Sequence, residues 1–199
     1  MRDLLVATRN AKKMPGLIVG LGDVPFRVVS LNDTALPKDF SVEEPGSTYE
    51  AHAAIKAFTY GKRTGLLTLA DDSGIEVDAL SGWPGVHSAT YMAGSDADRM
   101  HGLLEKMKDI PEGKRGAQYR AVIALYDPIN DKIRFAEGIT RGSILTQPEG
   151  DNDFGYNPIF FSDDLQQSFG VAPFEVQVSV SHRTRALKKA REILVTEFI

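Results

Sequence analysis

The 199-residue sequence contains no cysteine, which excludes disulfides, thiolate zinc sites and cysteine nucleophiles. It also lacks a long hydrophobic run. No stretch approaches the ~20 apolar residues that span a bilayer, and the opening MRDLLVATRNAKK returns to charge too soon for a secretory signal. A cytoplasmic protein with no membrane partner is therefore expected. Positive charge is not in excess: the net charge is -4, so no general attraction to nucleic acid is expected, and any anionic ligand must be held by a local basic cluster. Repeats, low-complexity tracts and flexible linkers are missing as well. What remains is an ordinary soluble balance, 42% hydrophobic, enough for a sizeable core in one domain or two closely joined lobes.

Hydrophobic patterning predicts alternating strands and helices. Asp3–Thr8 (DLLVAT) and Phe26–Leu31 read as strands. A helix beginning near Ala11 would tolerate Pro15 in its first turn. Glu50–Tyr60 is alanine-rich and helix-favouring, with Ser47 or Thr48 as its cap. LLTLA and GIEVDAL read as two strands separated by the polar Asp71-Asp72-Ser73. Ala97–Lys108 forms an amphipathic helix with Met100, Leu103, Leu104 and Met107 on one face. AQYRAVIALYD and KIRFAEGITRGSIL suit a long hairpin around PIND, and Thr184–Phe198 is a closing helix with basic residues outward. The order predicts an α/β fold with a large mixed sheet.

The chemistry concentrates in a few short stretches. Asp71 and Asp72 are two like charges at the end of an apolar run; as a plain turn they need no further account, but such a pair repels unless a cation lies beside it. Magnesium, which takes carboxylate oxygens and shares its site with phosphates, is one such cation. Glu43 and Glu44 precede a Pro-Gly turn, either as a solvated loop or, for Glu44, as a second metal carboxylate. Lys56 on the following helix can reach a bound anion. Thr8, Asn10 and Lys13 follow the first strand at a junction suited to phosphate, without the Gly-x-x-x-x-Gly-Lys spacing of a Walker loop. In DNDFGYNPIFF, Phe154 offers a face for stacking a base, whereas Tyr156 reads equally as a hydrophobic plug. His182 and Arg183 open the last helix behind Ser181, a capping arrangement that can also donate to a keto oxygen or ring nitrogen.

Taken in order, ATRNAKK, EEPGSTY, ADDSGIEVDALSGWPGVHSATY, EGITRGSI, FGYNPIFF and SHRTRAL resemble the inosine triphosphate pyrophosphatase family nearly end to end. The resemblance implies an elongated long mixed sheet with flanking helices, two lobes around a central nucleotide cleft, and residues 1–199 as a single catalytic domain. It implies magnesium-dependent attack of water on the α-phosphorus of ITP, dITP or XTP, releasing pyrophosphate and clearing the nucleotide pool. Asp72 would be the acid at the catalytic centre, supported by Asp71, with Glu44, Asp72 and Glu43 as candidate metal carboxylates. Thr8, Asn10, Lys13, Lys56, Ser73, Phe154, Gly155, Tyr156, Asn157, Gln177, His182 and Arg183 would bind substrate. A homodimer is implied too.

Four positions depart from the family pattern. Gly16 stands where a glutamate is usual, His52 where a helix asparagine is usual, Asn157 in place of an aspartate and Gln177 in place of a lysine. They leave open an alternative, a nucleotide-binding member with weak or altered activity. The paired loss of one acid and one base predicts that Asn157 and Gln177 are neighbours, a charged pair turned into an amide pair.

Overall fold

The computed structural model describes residues 1–10 and 13–199. Among the described residues, seven strands and five α-helices follow one another: β1 (Arg2–Val6), α1 (Met14–Leu21), β2 (Phe26–Ser30), α2 (Tyr49–Thr64), β3 (Leu67–Val77), α3 (Asp96–Lys106), β4 (Gly116–Asp127), β5 (Lys132–Ile144), β6 (Phe160–Ser162), β7 (Gln167–Ser168), α4 (Phe174–Val180) and α5 (His182–Glu197). The strands form one sheet in the order β2-β1-β3-β4-β5-β6-β7. It is mixed, because β1 runs parallel to β2 and β3 while β6 runs antiparallel to β5 and β7. The expected α/β class is what the chain adopts.

The chain forms two compact units. The first comprises Met1–Asp72, Ala121–Gly138 and Arg183–Ile199, the second Ser73–Arg120 and Ile139–His182. In the first, Leu4 and Val6 of β1 join Leu67 and Leu69 of β3 and Ala121, Ile123 and Leu125 of β4 in a core closed by Leu17 and Leu21 of α1 and by Ala186, Leu187, Ala190 and Leu194 of α5. Gly20 makes the two helices' approach possible, since a Cβ there would lie 2.6 Å from Leu187 Cδ1. In the second, Met100 and Leu103 of α3 and Met107 at its C-cap pack with Tyr119, Ile144, Phe160 and Phe169. The expected apolar face of α3 is thereby used, with Leu104 partly buried against it.

Several boundaries depart from expectation. The start near Ala11 lies outside the described residues; the described helix begins at Met14, with Pro15 in its first turn. Thr48 rather than Ser47 caps α2, its hydroxyl oxygen accepting from the Ala51 N–H at 3.1 Å. The main correction concerns Asp71-Asp72-Ser73-Gly74, which is not a break: β3 is one continuous strand of eleven residues running straight through it. Turn-forming residues are held extended here because the sheet and the cations described below satisfy them, a tertiary override of local propensity.

Candidate active site

Consecutive residues of a strand point to opposite faces, so Asp71 and Asp72 do not confront each other. Asp71 is buried and Oδ2 accepts from Lys13 Nζ at 3.1 Å and from Arg183 Nε at 3.3 Å. Burial alone would raise its pKa, but Lys13, Arg183 and Lys56 overcome that and hold the carboxyl far below the ordinary range. Asp72 meets a different set. Its Oδ1 accepts from Lys56 Nζ at 3.1 Å, and its Oδ2 lies 3.2 Å from His52 Nδ1. Burial raises the Asp72 pKa, with Lys56 opposing. For Lys56, burial acts to lower the pKa, yet the carboxylates of Asp72, Asp71 and Glu44 raise it on balance.

Glu44 arrives from the loop before α2. Its Oε2 lies 3.0 Å from Lys56 Nζ and 3.4 Å from His52 Nδ1. The ligand atoms of Glu44, His52 and Asp72 all fall within 4.8 Å of one another. Asp72 Oδ2 is buried and accepts no hydrogen bond among the described residues, so the donor set fits a divalent cation. Glu43 is exposed and stands outside this group. Beside the cluster lies a cavity of about 300 Å³, lined among others by Thr8, Asn10, Lys13, Glu44, Lys56 and Asp71. Thr8 Oγ1 accepts from the Asn10 N–H at 3.1 Å, tightening the turn that presents both. Three carboxylates here face three cations, Lys13, Lys56 and Arg183, so the paired set carries no surplus positive charge for a polyphosphate.

The remaining predicted residues lie in the second unit, apart from Arg183. Ser73 follows Asp72 in β3. Gly155 adopts φ +60° and donates its N–H to Asp96 Oδ2 at 3.2 Å. Phe154 is half-buried. Tyr156 is the plug that one reading allowed: it is buried, and its hydroxyl donates to the Ser88 carbonyl at 2.6 Å. His182 is buried and stacks on Tyr119, centroids 4.8 Å apart and planes 9° from parallel. No hydrogen bond joins the side-chain amides of Asn157 and Gln177 among the described residues. Asn157 Oδ1 accepts from the Tyr119 hydroxyl at 3.4 Å, while Gln177 Oε1 accepts from Asn152 Nδ2 at 2.9 Å. Each amide has a polar partner of its own.

Sequence reasoning passes over three residues of the first unit. Phe40 and Tyr60 line the cavity and meet edge to face at 5.7 Å; nothing in the local sequence announces them. His52 appears only as a departure, although it precedes Lys56 by four residues, the spacing that puts both side chains on one helix face.

The Ham1 family model matches residues 4–193. A dITP/XTP pyrophosphatase of Desulforamulus reducens is 41% identical over 193 residues, 96% of this chain and 94% of that protein. The structure of a HAM1 protein from Coxiella burnetii superposes with a TM-score of 0.88 at 33% identity, covering 98% of this chain and 99% of that one. The Staphylococcus aureus Ham1 protein gives 0.86 at 32%, covering 98% and 100%. With a family model spanning nearly the whole sequence and relatives matched end to end, the chain belongs to the Ham1 family.

Proposed function

We propose that the protein hydrolyses non-standard purine nucleoside triphosphates (dITP, ITP and XTP) to the monophosphate and pyrophosphate. The observation that carries this reading is Asp72, held by Lys56 and clustered with Glu44 and His52 next to a cavity whose wall includes Thr8, Asn10 and Lys13. Relatives matched end to end are dITP/XTP pyrophosphatases by name, which supports the substrate class.

Magnesium held by Glu44 and Asp72 would supply charge neutralisation for the polyphosphate and a water of lowered pKa. Asp72 holds the ion and so orients the attacking water, whose proton passes to solvent. The water oxygen bonds to the α-phosphorus, and the bond from that phosphorus to the bridging oxygen breaks, releasing pyrophosphate. Lys13 and Lys56 hold phosphate oxygens, aided by Thr8, Asn10 and Ser73. Asp71 orients Lys13 and Arg183 rather than reacting. Phe154 stacks on the base, and His182 and Arg183 donate to its 6-keto edge. Adenine presents an amino donor there and is rejected. Gly155, Tyr156, Asn157 and Gln177 shape the nucleoside pocket. We place the enzyme in the cytoplasm as a homodimer, with residues 1–199 acting as one catalytic domain.

The test is pyrophosphate release over ITP, XTP, dITP, GTP, ATP and pyrimidine triphosphates. Preference for the inosine and xanthine nucleotides over ATP by about 10²-fold or more in kcat/KM is expected. Equal use of ATP would refute the base reading, and ITP binding without release would favour a nucleotide-binding role.

A further inference from the structure

His52 does more in this site than fill the place of an amide. The residue is buried, only 5% exposed. Nε2 lies 2.7 Å from the Gly46 carbonyl oxygen, which can only accept; Nε2 therefore carries the proton. That leaves Nδ1 as the ring atom facing Asp72 Oδ2 at 3.2 Å and Glu44 Oε2 at 3.4 Å. Nδ1 and the two carboxylate oxygens thus converge as three candidate ligand atoms, and Asp72 Oδ2 has no hydrogen-bond partner among the described residues. A backbone carbonyl accepting from the far nitrogen is also the support that metal-bound imidazoles ordinarily have.

The loop is built for this contact. A Cβ on Gly46 would lie 2.7 Å from Ala51 Cβ and 3.2 Å from His52 Cδ2. Only glycine lets the segment that carries Glu44 close against α2 and grip the ring. Lys56, one helical turn further on, takes Asp72 Oδ1 and leaves Oδ2 without a donor among the described residues.

We propose that His52 is a direct metal ligand through Nδ1, completing with Glu44 and Asp72 a centre of two carboxylates and one imidazole that prefers manganese(II) or another first-row transition ion to magnesium. The proposal rests on the metal-dependent reading above and narrows the class of ion. Magnesium takes oxygen ligands and sheds water reluctantly, whereas an imidazole nitrogen adds affinity for the transition series and little for magnesium.

The probe is manganese(II) added to the full metal-free chain without nucleotide. Pulsed electron paramagnetic resonance should show coupling to a directly bound nitrogen, shifting to the ¹⁵N pattern in ¹⁵N-histidine protein. His52→Asn should lose the coupling, weaken manganese binding about 10-fold or more and change magnesium binding less than about 3-fold. If that variant does not fold, manganese broadening in the wild-type protein should strike the His52 ring signals ahead of those of His87, His101 and His182. Manganese bound without nitrogen coupling, no manganese binding, or equal losses for both ions in His52→Asn would each overturn the assignment. The enzymatic reading fails separately: nitrogen coupling without turnover of any triphosphate keeps the ligand and sinks the activity, and turnover without coupling does the reverse.

Discussion

Asp71 and Asp72 share a backbone and almost nothing else. The protein lowers the pKa of one and raises that of the other, so the same isosteric change should have opposite effects on stability. A raised carboxyl pKa means that the folded state disfavours the charged form relative to the unfolded chain at neutral pH. Asp72→Asn in metal-free protein should therefore melt at the wild-type temperature or above it, while turnover is nearly abolished through loss of a charge from the metal and water site. Asp71→Asn strips Lys13 and Arg183 of a buried partner and should cost about 3 kcal/mol. Denaturant titration beside a pyrophosphate-release assay checks both. A destabilised Asp72→Asn, or an Asp71→Asn as stable as wild type, would contradict the division of roles. The residue types here were legible in the sequence; their separation was not. Two adjacent acids read as one feature until the strand's alternation assigns them to different neighbours, and those neighbours come from the segment after β1, from α2 and from α5.

At the scale of elements, two polar side chains fasten segment ends. Arg115 is 3% exposed and has no carboxylate partner among its hydrogen bonds. Its guanidinium donates to the carbonyls of Ile144 (2.8 Å), Met107 (2.7 Å), Ile110 (3.1 Å) and Leu145 (3.0 Å). It ties the end of α3 and the turn after it to the end of β5. A lysine has three donors on one atom and cannot span those positions. Arg115→Lys should cost about 1–3 kcal/mol for each carbonyl left unsatisfied, read as a lower denaturation midpoint at unchanged slope; a wild-type midpoint would show that water replaces these bonds. Asp127 works likewise at the turn from β4 to β5. Burial would raise its pKa, but Arg2, the Ile129 N–H and Asn130 lower it on balance. A depressed carboxyl pKa gives stability that is complete above the unfolded value of about 4 and lost as pH falls through the folded value. Wild type should exceed Asp127→Asn at pH 7, and the two should converge below about pH 4. A constant gap across that range would remove the ionised carboxylate from the account.

These elements also show what local sequence carries. The long amphipathic α3 and the hairpin strands β4 and β5 are strongly periodic and legible. The strands β6 and β7, three and two residues long, are too short for any period. The helix α4, FEVQVSV, has the alternating valines of a strand and becomes helical through its surroundings, with Pro173 before its first turn.

At the scale of the whole molecule, neither unit is a continuous stretch of chain. The boundary is crossed at 72/73, 120/121, 138/139 and 182/183. The first three crossings fall inside β3, β4 and β5, and a strand loses its ladder on both sides of such a point together. A single cooperative unfolding transition is expected, and the sequence supplies the probes to test it. Trp83 is the only tryptophan. It lies in the second unit, edge-on to Tyr91 at 4.7 Å and beneath Lys106 Nζ at 4.8 Å, so its emission reports that unit alone. Most helical residues belong to α1, α2 and α5, which the first unit holds apart from His182, so circular dichroism at 222 nm weights that unit. Fluorescence and dichroism melts should share one midpoint and one slope, with matching calorimetric and van't Hoff enthalpies. Midpoints that separate, with Trp83 released before or after the helices, would mean that the three shared strands do not couple the units. Stability changes at Arg115 and Asp127 would then have to be assigned to one unit each rather than to the fold.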